Sequence, residues 1–185
     1  MKGKLFIVSG PSGSGKSTVT KLVRDMLNIP LAISVTTRQM RTGEVDCKDY
    51  YFITKEEFEK KINENGLFEY ANVHGNYYGT LNSEIEKHLE NGQNVILEID
   101  VQGGVIAKSK RNDSILIFFK APNLEELEKR LRGRNTDSDK VIQKRLENAI
   151  KELEYEKDYD YTIINHSIED SCKQLIDIIA KGEIL

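Results

Sequence analysis

The chain of 185 residues predicts an α/β fold: three layers, with a mostly parallel sheet between helices. Three observations carry this expectation. Short apolar runs recur along the chain, longer segments of helical periodicity separate them, and helix-start signals fall in the gaps. In chain order, residues 5–8 (LFIV) form the first strand and 16–27 a helix. Residues 94–99 (NVILEI), 115–119 (ILIFF) and 161–164 (YTII) are further strands. Such runs lack polar alternation, as strands covered on both faces do. Residues 123–132 place Leu124, Leu127 and Leu131 on one helical face, and 140–156 place Val141, Ile142, Leu146, Ala149, Ile150 and Leu153 likewise. Asn123 precedes Glu126 by three residues and Ser167 precedes Asp170 by three, the spacing of N-caps; the last helix ends near Gly182.

Residues 31–81 interrupt this alternation. Short β-like pieces at 31–37, 50–53 and 67–73 surround a capped helix at 54–64, and the segment is too rich in Tyr, Phe and Val for a linker. It reads as an insertion in a single domain, whose core is 1–30 and 82–185. The polar stretch 132–139 reads as a surface loop.

Composition narrows the function. Lys and Arg number 27 against 30 Asp and Glu, a net charge of −3, which lacks the broad basic footprint of a nucleic-acid binder. Two cysteines, Cys47 and Cys172, and three scattered histidines suit a reduced cytoplasmic protein better than a disulfide frame or a zinc site. No apolar run approaches the ~18 residues of a membrane span, and no signal-peptide core develops at the N-terminus.

The strongest motif is GPSGSGKS at 10–17, directly after a strand and opening a helix. This is the P-loop pattern in its confirming context. Gly10, Pro11, Ser12, Gly13, Ser14, Gly15, Lys16, Ser17 and Thr18 would bind ATP, the glycines letting backbone N–H groups curl around its phosphate oxygens. Lys16 would reach the β and γ phosphates, and Ser17 would offer a hydroxyl to Mg²⁺. Glu98 and Asp100, at the end of a strand, share a face near the P-loop; Asp100 is the preferred magnesium-side carboxylate, acting through water, and Glu98 is left open. Phosphoryl transfer needs clustered cations in a chain of net charge −3, which singles out Arg38, Arg41, Arg130, Arg134 and Arg145, with Arg132 at the surface.

The chain resembles the guanylate kinase family. The resemblance rests on GPSGSGKST, TTRQMRTGEV (36–45), KDYYF (48–52), GLFEYANVHGNYYGT (66–80), ILEIDVQGG (96–104) and RLRGRNTDS with KRL (130–138 and 144–146). It implies that the insertion binds GMP, with Arg38, Arg41, Tyr50 and Tyr78 on its phosphate and Ser34, Glu69, Thr80 and Asp100 on guanine. It further implies a lid at about 132–145 whose arginines, Arg130, Arg134 and Arg145, close over ATP, and an Asn165 near the adenine. Three positions depart from the family pattern: Met40 where Pro is common, Cys47 where Gly is frequent, and Glu98 where Asp is frequent. The expected reaction is Mg²⁺-dependent transfer of a phosphoryl group from ATP to GMP, and dGMP is an expected acceptor too. Two alternatives remain open at this point: another P-loop kinase of a nucleotide or phosphorylated sugar, and a non-catalytic module of the same family that holds phosphopeptides.

Overall fold

The structure is a computed structural model and describes residues 3–73, 75–133 and 138–182. In chain order its elements are β1 (Leu5–Ser9), α1 (Lys16–Leu27), β2 (Ser34–Thr36), β3 (Tyr51–Phe52), α2 (Lys55–Asn63), β4 (Leu67–Val73), β5 (Asn76–Leu81) and α3 (Asn82–Leu89), followed by β6 (Val95–Glu98), α4 (Val101–Lys110), β7 (Ile115–Lys120), α5 (Leu124–Arg132), α6 (Asp139–Leu153), β8 (Tyr161–Ile164) and α7 (Ile168–Gly182). A 3-10 turn at Glu154–Asp158 follows α6, so the helix expected at 140–156 ends three residues early.

The apolar runs form one parallel sheet in the order β6-β1-β7-β8. Alternate residues of β1 face opposite layers. Phe6 and Val8 pack with Val19 and Val23 of α1 and Leu175 and Ile179 of α7. Leu5 and Ile7 pack with Ile85 and Leu89 of α3 and Ala107 of α4. Both faces are therefore dry, which explains the unbroken apolar character of these strands. Asn123 accepts from the Glu126 N–H at 2.8 Å and Ser167 from the Asp170 N–H at 3.1 Å, so both expected caps are made.

Two helices, α3 and α4, have no counterpart in the sequence expectation. The α4 segment carries the pair Gly103 and Gly104, which weakens a helical pattern. Gly104 is needed because a Cβ there would collide with the Tyr159 hydroxyl.

Residues 34–81 build a second sheet, β3-β2-β5-β4, mixed in direction, around Val35, Phe58 and Leu67. The chain leaves the parallel sheet at Leu31, which bridges Ile96 in parallel, and returns through β5 directly into α3. No helix among the described residues is long and apolar enough to cross a membrane.

Candidate active site

The P-loop joins β1 to α1. Gly15 is the N-cap of α1 at φ 87° and supplies no side-chain cap, so the first-turn N–H groups face outward without a protein acceptor of that kind. Glycine is required there twice over, since the φ is left-handed and a Cβ would strike the Asn165 amide. Lys16 Nζ donates to the Gly10 carbonyl at 2.9 Å, curling back over the loop. From behind, buried Asn165 donates to the Ser14 carbonyl at 2.8 Å and accepts from the Ser171 hydroxyl at 3.1 Å. Its amide thus ties the loop to the first turns of α7.

Two of the expected arginines converge on the same loop. Arg130 reaches the Asn165 carbonyl at 2.8 Å and the Ser14 carbonyl at 3.4 Å, and Arg145 reaches the Ser12 hydroxyl at 3.0 Å. Arg134 lies outside the described residues. Arg132 is a surface residue, as expected, paired with Glu128 and Asp139.

The carboxylate that meets Ser17 is Glu98, whose Oε1 accepts from the Ser17 hydroxyl at 2.8 Å. Its Oε2 is buried and has no hydrogen-bond partner among the described residues. Asp100 was expected to share a strand face with Glu98, but β6 ends at Glu98 and Asp100 has become the N-cap of α4. Its Oδ1 accepts from the N–H groups of Gln102 at 2.9 Å and Gly103 at 3.0 Å. Both acids still line the cavity. No group of three or more His, Cys, Asp or Glu arranged to hold a metal by themselves occurs among the described residues.

That cavity, of about 330 Å³, lies between the P-loop and the second sheet. One wall is Gly10, Ser12, Lys16 and Ser17; the other is Ser34, Tyr50, Glu69 and Tyr78. Glu69 is 3% exposed and accepts from the buried Thr80 hydroxyl at 2.7 Å. Burial pushes its carboxyl up to about 7; the Thr80 bond opposes this and the charge of Asp100 adds to it. Arg38 sits over the Tyr50 ring and donates through Nε to the Tyr78 hydroxyl at 3.2 Å, so three of the expected phosphate-binding groups are together. Its guanidinium fork is closed on Glu44 at 2.7 and 3.0 Å, which raises the Arg38 pKa further and shows that the fork accepts a planar anion in this place. Arg41 does not line the cavity: it is exposed, and its backbone N–H also bonds Glu44, at 2.7 Å.

Sequence reasoning assigned no role to Glu44 or Glu152. Glu152 also lines the cavity, where burial raises its pKa against the opposing charge of Lys16. A signal for it existed, since it follows Arg145 by seven residues and therefore lies on the same face of α6.

Known proteins are similar to this chain in sequence and in fold. The guanylate kinase family model matches residues 2–182. A guanylate kinase of Fusobacterium nucleatum is 63% identical, over 97% of both chains. One of Thermotoga maritima is 41% identical, over 97% of this chain and 87% of its own. The crystal structure of guanylate kinase from Anaplasma phagocytophilum superposes with a TM-score of 0.82 at 31% identity, over 100% of this chain and 88% of that one. A P-loop facing a buried carboxylate across one cavity, in a chain related over its whole length to these enzymes, places it: the chain belongs to the guanylate kinase family.

Proposed function

We propose that the chain transfers the γ-phosphoryl group of ATP to GMP, giving ADP and GDP. The observation that carries this is the cavity whose two walls suit two different nucleotides, a P-loop on one side and Glu69 with an arginine-tyrosine cluster on the other. The P-loop N–H groups and Lys16 hold the ATP phosphates, with Arg130 and Arg145 bracketing the segment of about 132–145 that closes as a lid. Residues 31–81 form the acceptor part. Arg38, Arg41, Tyr50 and Tyr78 take the GMP phosphate, which displaces Glu44 from the Arg38 fork.

Ser34 donates to guanine O6, and the Glu69 carboxylate accepts from N1–H and the amino group, with Thr80 and Asp100 beside them. Adenine offers that carboxylate a lone pair at N1, a mismatch that can cost ~10⁴-fold in kcat/KM. No general base is required, because the GMP phosphate has a second pKa of ~6 and attacks as the dianion.

Mg²⁺ fits the donor set: the Ser17 hydroxyl and the Glu98 carboxylate with its unpartnered buried oxygen are hard oxygen ligands side by side, with Asp100 acting through water. When bound, the ion would neutralise charge on the ATP phosphates. The reading is tested by following ADP release with ATP fixed and GMP, dGMP, AMP, CMP, UMP or dTMP added in turn. Stimulation by the guanine nucleotides supports it; release that ignores GMP defeats it.

A further inference from the structure

Glu84 lies outside the cavity, in the first turn of α3, with a side chain only 7% exposed. A carboxylate in such a place needs partners. It has three, from three segments: the Tyr51 hydroxyl donates to Oε1 at 2.8 Å, Lys87 Nζ to Oε1 at 2.6 Å, and the Ile33 N–H to Oε2 at 3.3 Å. Burial alone would raise its pKa, yet these partners hold it below the usual carboxylate range. Burial and the Glu84 carboxylate in turn push Tyr51 up to about 12, so its hydroxyl keeps the proton it donates.

The position of this cluster matters more than its strength. Ile33 belongs to the segment by which the chain leaves the parallel sheet, and α3 begins where the chain returns from the second sheet. Tyr51 is in β3, at the far edge of that sheet. The next residue after Ile33 is Ser34, and the one before Tyr51 is Tyr50; both line the cavity. Successive residues of an extended chain point to opposite sides. Fixing Tyr51 on Glu84 therefore aims Tyr50 the other way, into the cavity, and fixing the Ile33 N–H sets the path of the backbone at Ser34.

We infer that Glu84 is a positioning residue for the acceptor nucleotide: through Ile33 and Tyr51 it sets Ser34 and Tyr50, and so governs GMP binding while leaving ATP binding alone. This rests on the acceptor wall binding GMP. None of the three hydrogen bonds to Glu84 involves the P-loop wall, which gives the test its contrast. A residue that merely stabilised the fold would lower the melting temperature and affect both substrates alike.

Tyr51→Phe removes one oxygen and keeps the ring; Glu84→Gln keeps the shape and removes the charge. With wild type beside them, the expected result is a KM for GMP raised about three- to tenfold in Tyr51→Phe and about tenfold in Glu84→Gln, the size of one net hydrogen bond. KM for ATP and kcat at saturation should stay within about twofold. An unchanged KM for GMP, or equal shifts for both substrates, overturns the inference. If Glu84→Gln does not fold, Tyr51→Phe decides alone. Wild type that GMP fails to stimulate overturns the acceptor reading beneath it, an outcome distinct from an active wild type with indifferent variants.

Discussion

On the P-loop side of the cavity, the groups proposed to bind the ATP phosphates are backbone N–H groups of the loop at residues 10–18, Pro11 apart, joined by Lys16. On the opposite side the groups proposed to bind GMP are side chains drawn from residues 34–80: Ser34 in β2, Arg38 and Tyr50 beside β2 and β3, Glu69 in β4, Tyr78 and Thr80 in β5. The first kind of site is tolerant of what is bound, because every polyphosphate offers the same oxygens. The second discriminates, because a buried carboxylate penalises any base that fails to satisfy it. The two halves should accordingly fail in different ways.

Removal of Lys16 gives the largest effect. Lys16→Met should lower kcat by about 10³-fold, since one charged group at the transferring phosphate is lost from a site excluded from water. GMP affinity measured by calorimetry should hardly move. If it falls in parallel, the walls are not independent.

Glu69→Gln should act the other way round. It should reduce kcat/KM for GMP by about 10²-fold and narrow the preference for GMP over AMP, with KM for ATP unchanged. Steady-state rates with each acceptor check this. The same substitution tests the raised pKa. Glu69 goes from an ordinary 4.5 to about 7 on folding, so the folded state binds the extra proton between those values. The stability this group permits is fully present below pH ~4.5 and is lost as pH rises through 7. Wild type should therefore lose up to about 3 kcal/mol relative to Glu69→Gln across that window, read from urea midpoints at a series of pH values. GMP needs the ionised form, so its affinity should rise over the same range and its binding should release a proton. In Glu69→Gln only the release due to the GMP phosphate should remain, as calorimetry in buffers of different ionisation heat would show.

Asn165→Ala sharpens the comparison from the P-loop side. It leaves the Ser171 hydroxyl unpaired and removes the amide behind the Ser14 carbonyl, and should cost about 2 kcal/mol of stability. KM for ATP should rise and GMP affinity should not. Equal changes in both would assign Asn165 to the fold as a whole.

The same contrast explains what could be read from sequence. The P-loop was legible because its chemistry lies in consecutive residues, and the parallel strands because being covered on both faces leaves an unbroken apolar run. The acceptor wall became legible only through resemblance: Glu69 beside Tyr70 carries no signal until β4 and β5 set it against Thr80. Asn165 meets Ser14 across 151 positions of chain, and Glu84 meets Tyr51 across 33. Local pattern does not encode such pairings. Glu98 ends β6 and Asp100 caps α4, a boundary that falls within the one or two residues to which sequence pattern leaves element ends open.

The smallest expected effect concerns the loop that carries Tyr50. Cys47 has φ 62°, in the left-handed region that favours Gly, and its N–H donates to the Tyr50 carbonyl at 2.9 Å. A side chain held in that conformation costs roughly 1–2 kcal/mol. Glycine avoids the cost but gives up more freedom on folding, roughly 0.5–1 kcal/mol. Cys47→Gly should therefore stabilise the protein by under about 1 kcal/mol, a rise of up to about 4 °C in melting temperature for a chain of this length. The side chain itself is exposed and does not line the cavity, so the gain should come without a change in KM for GMP of more than about twofold. A larger change in KM than in stability would mean that the acceptor wall depends on the stiffness of this loop as well as on the strands behind it.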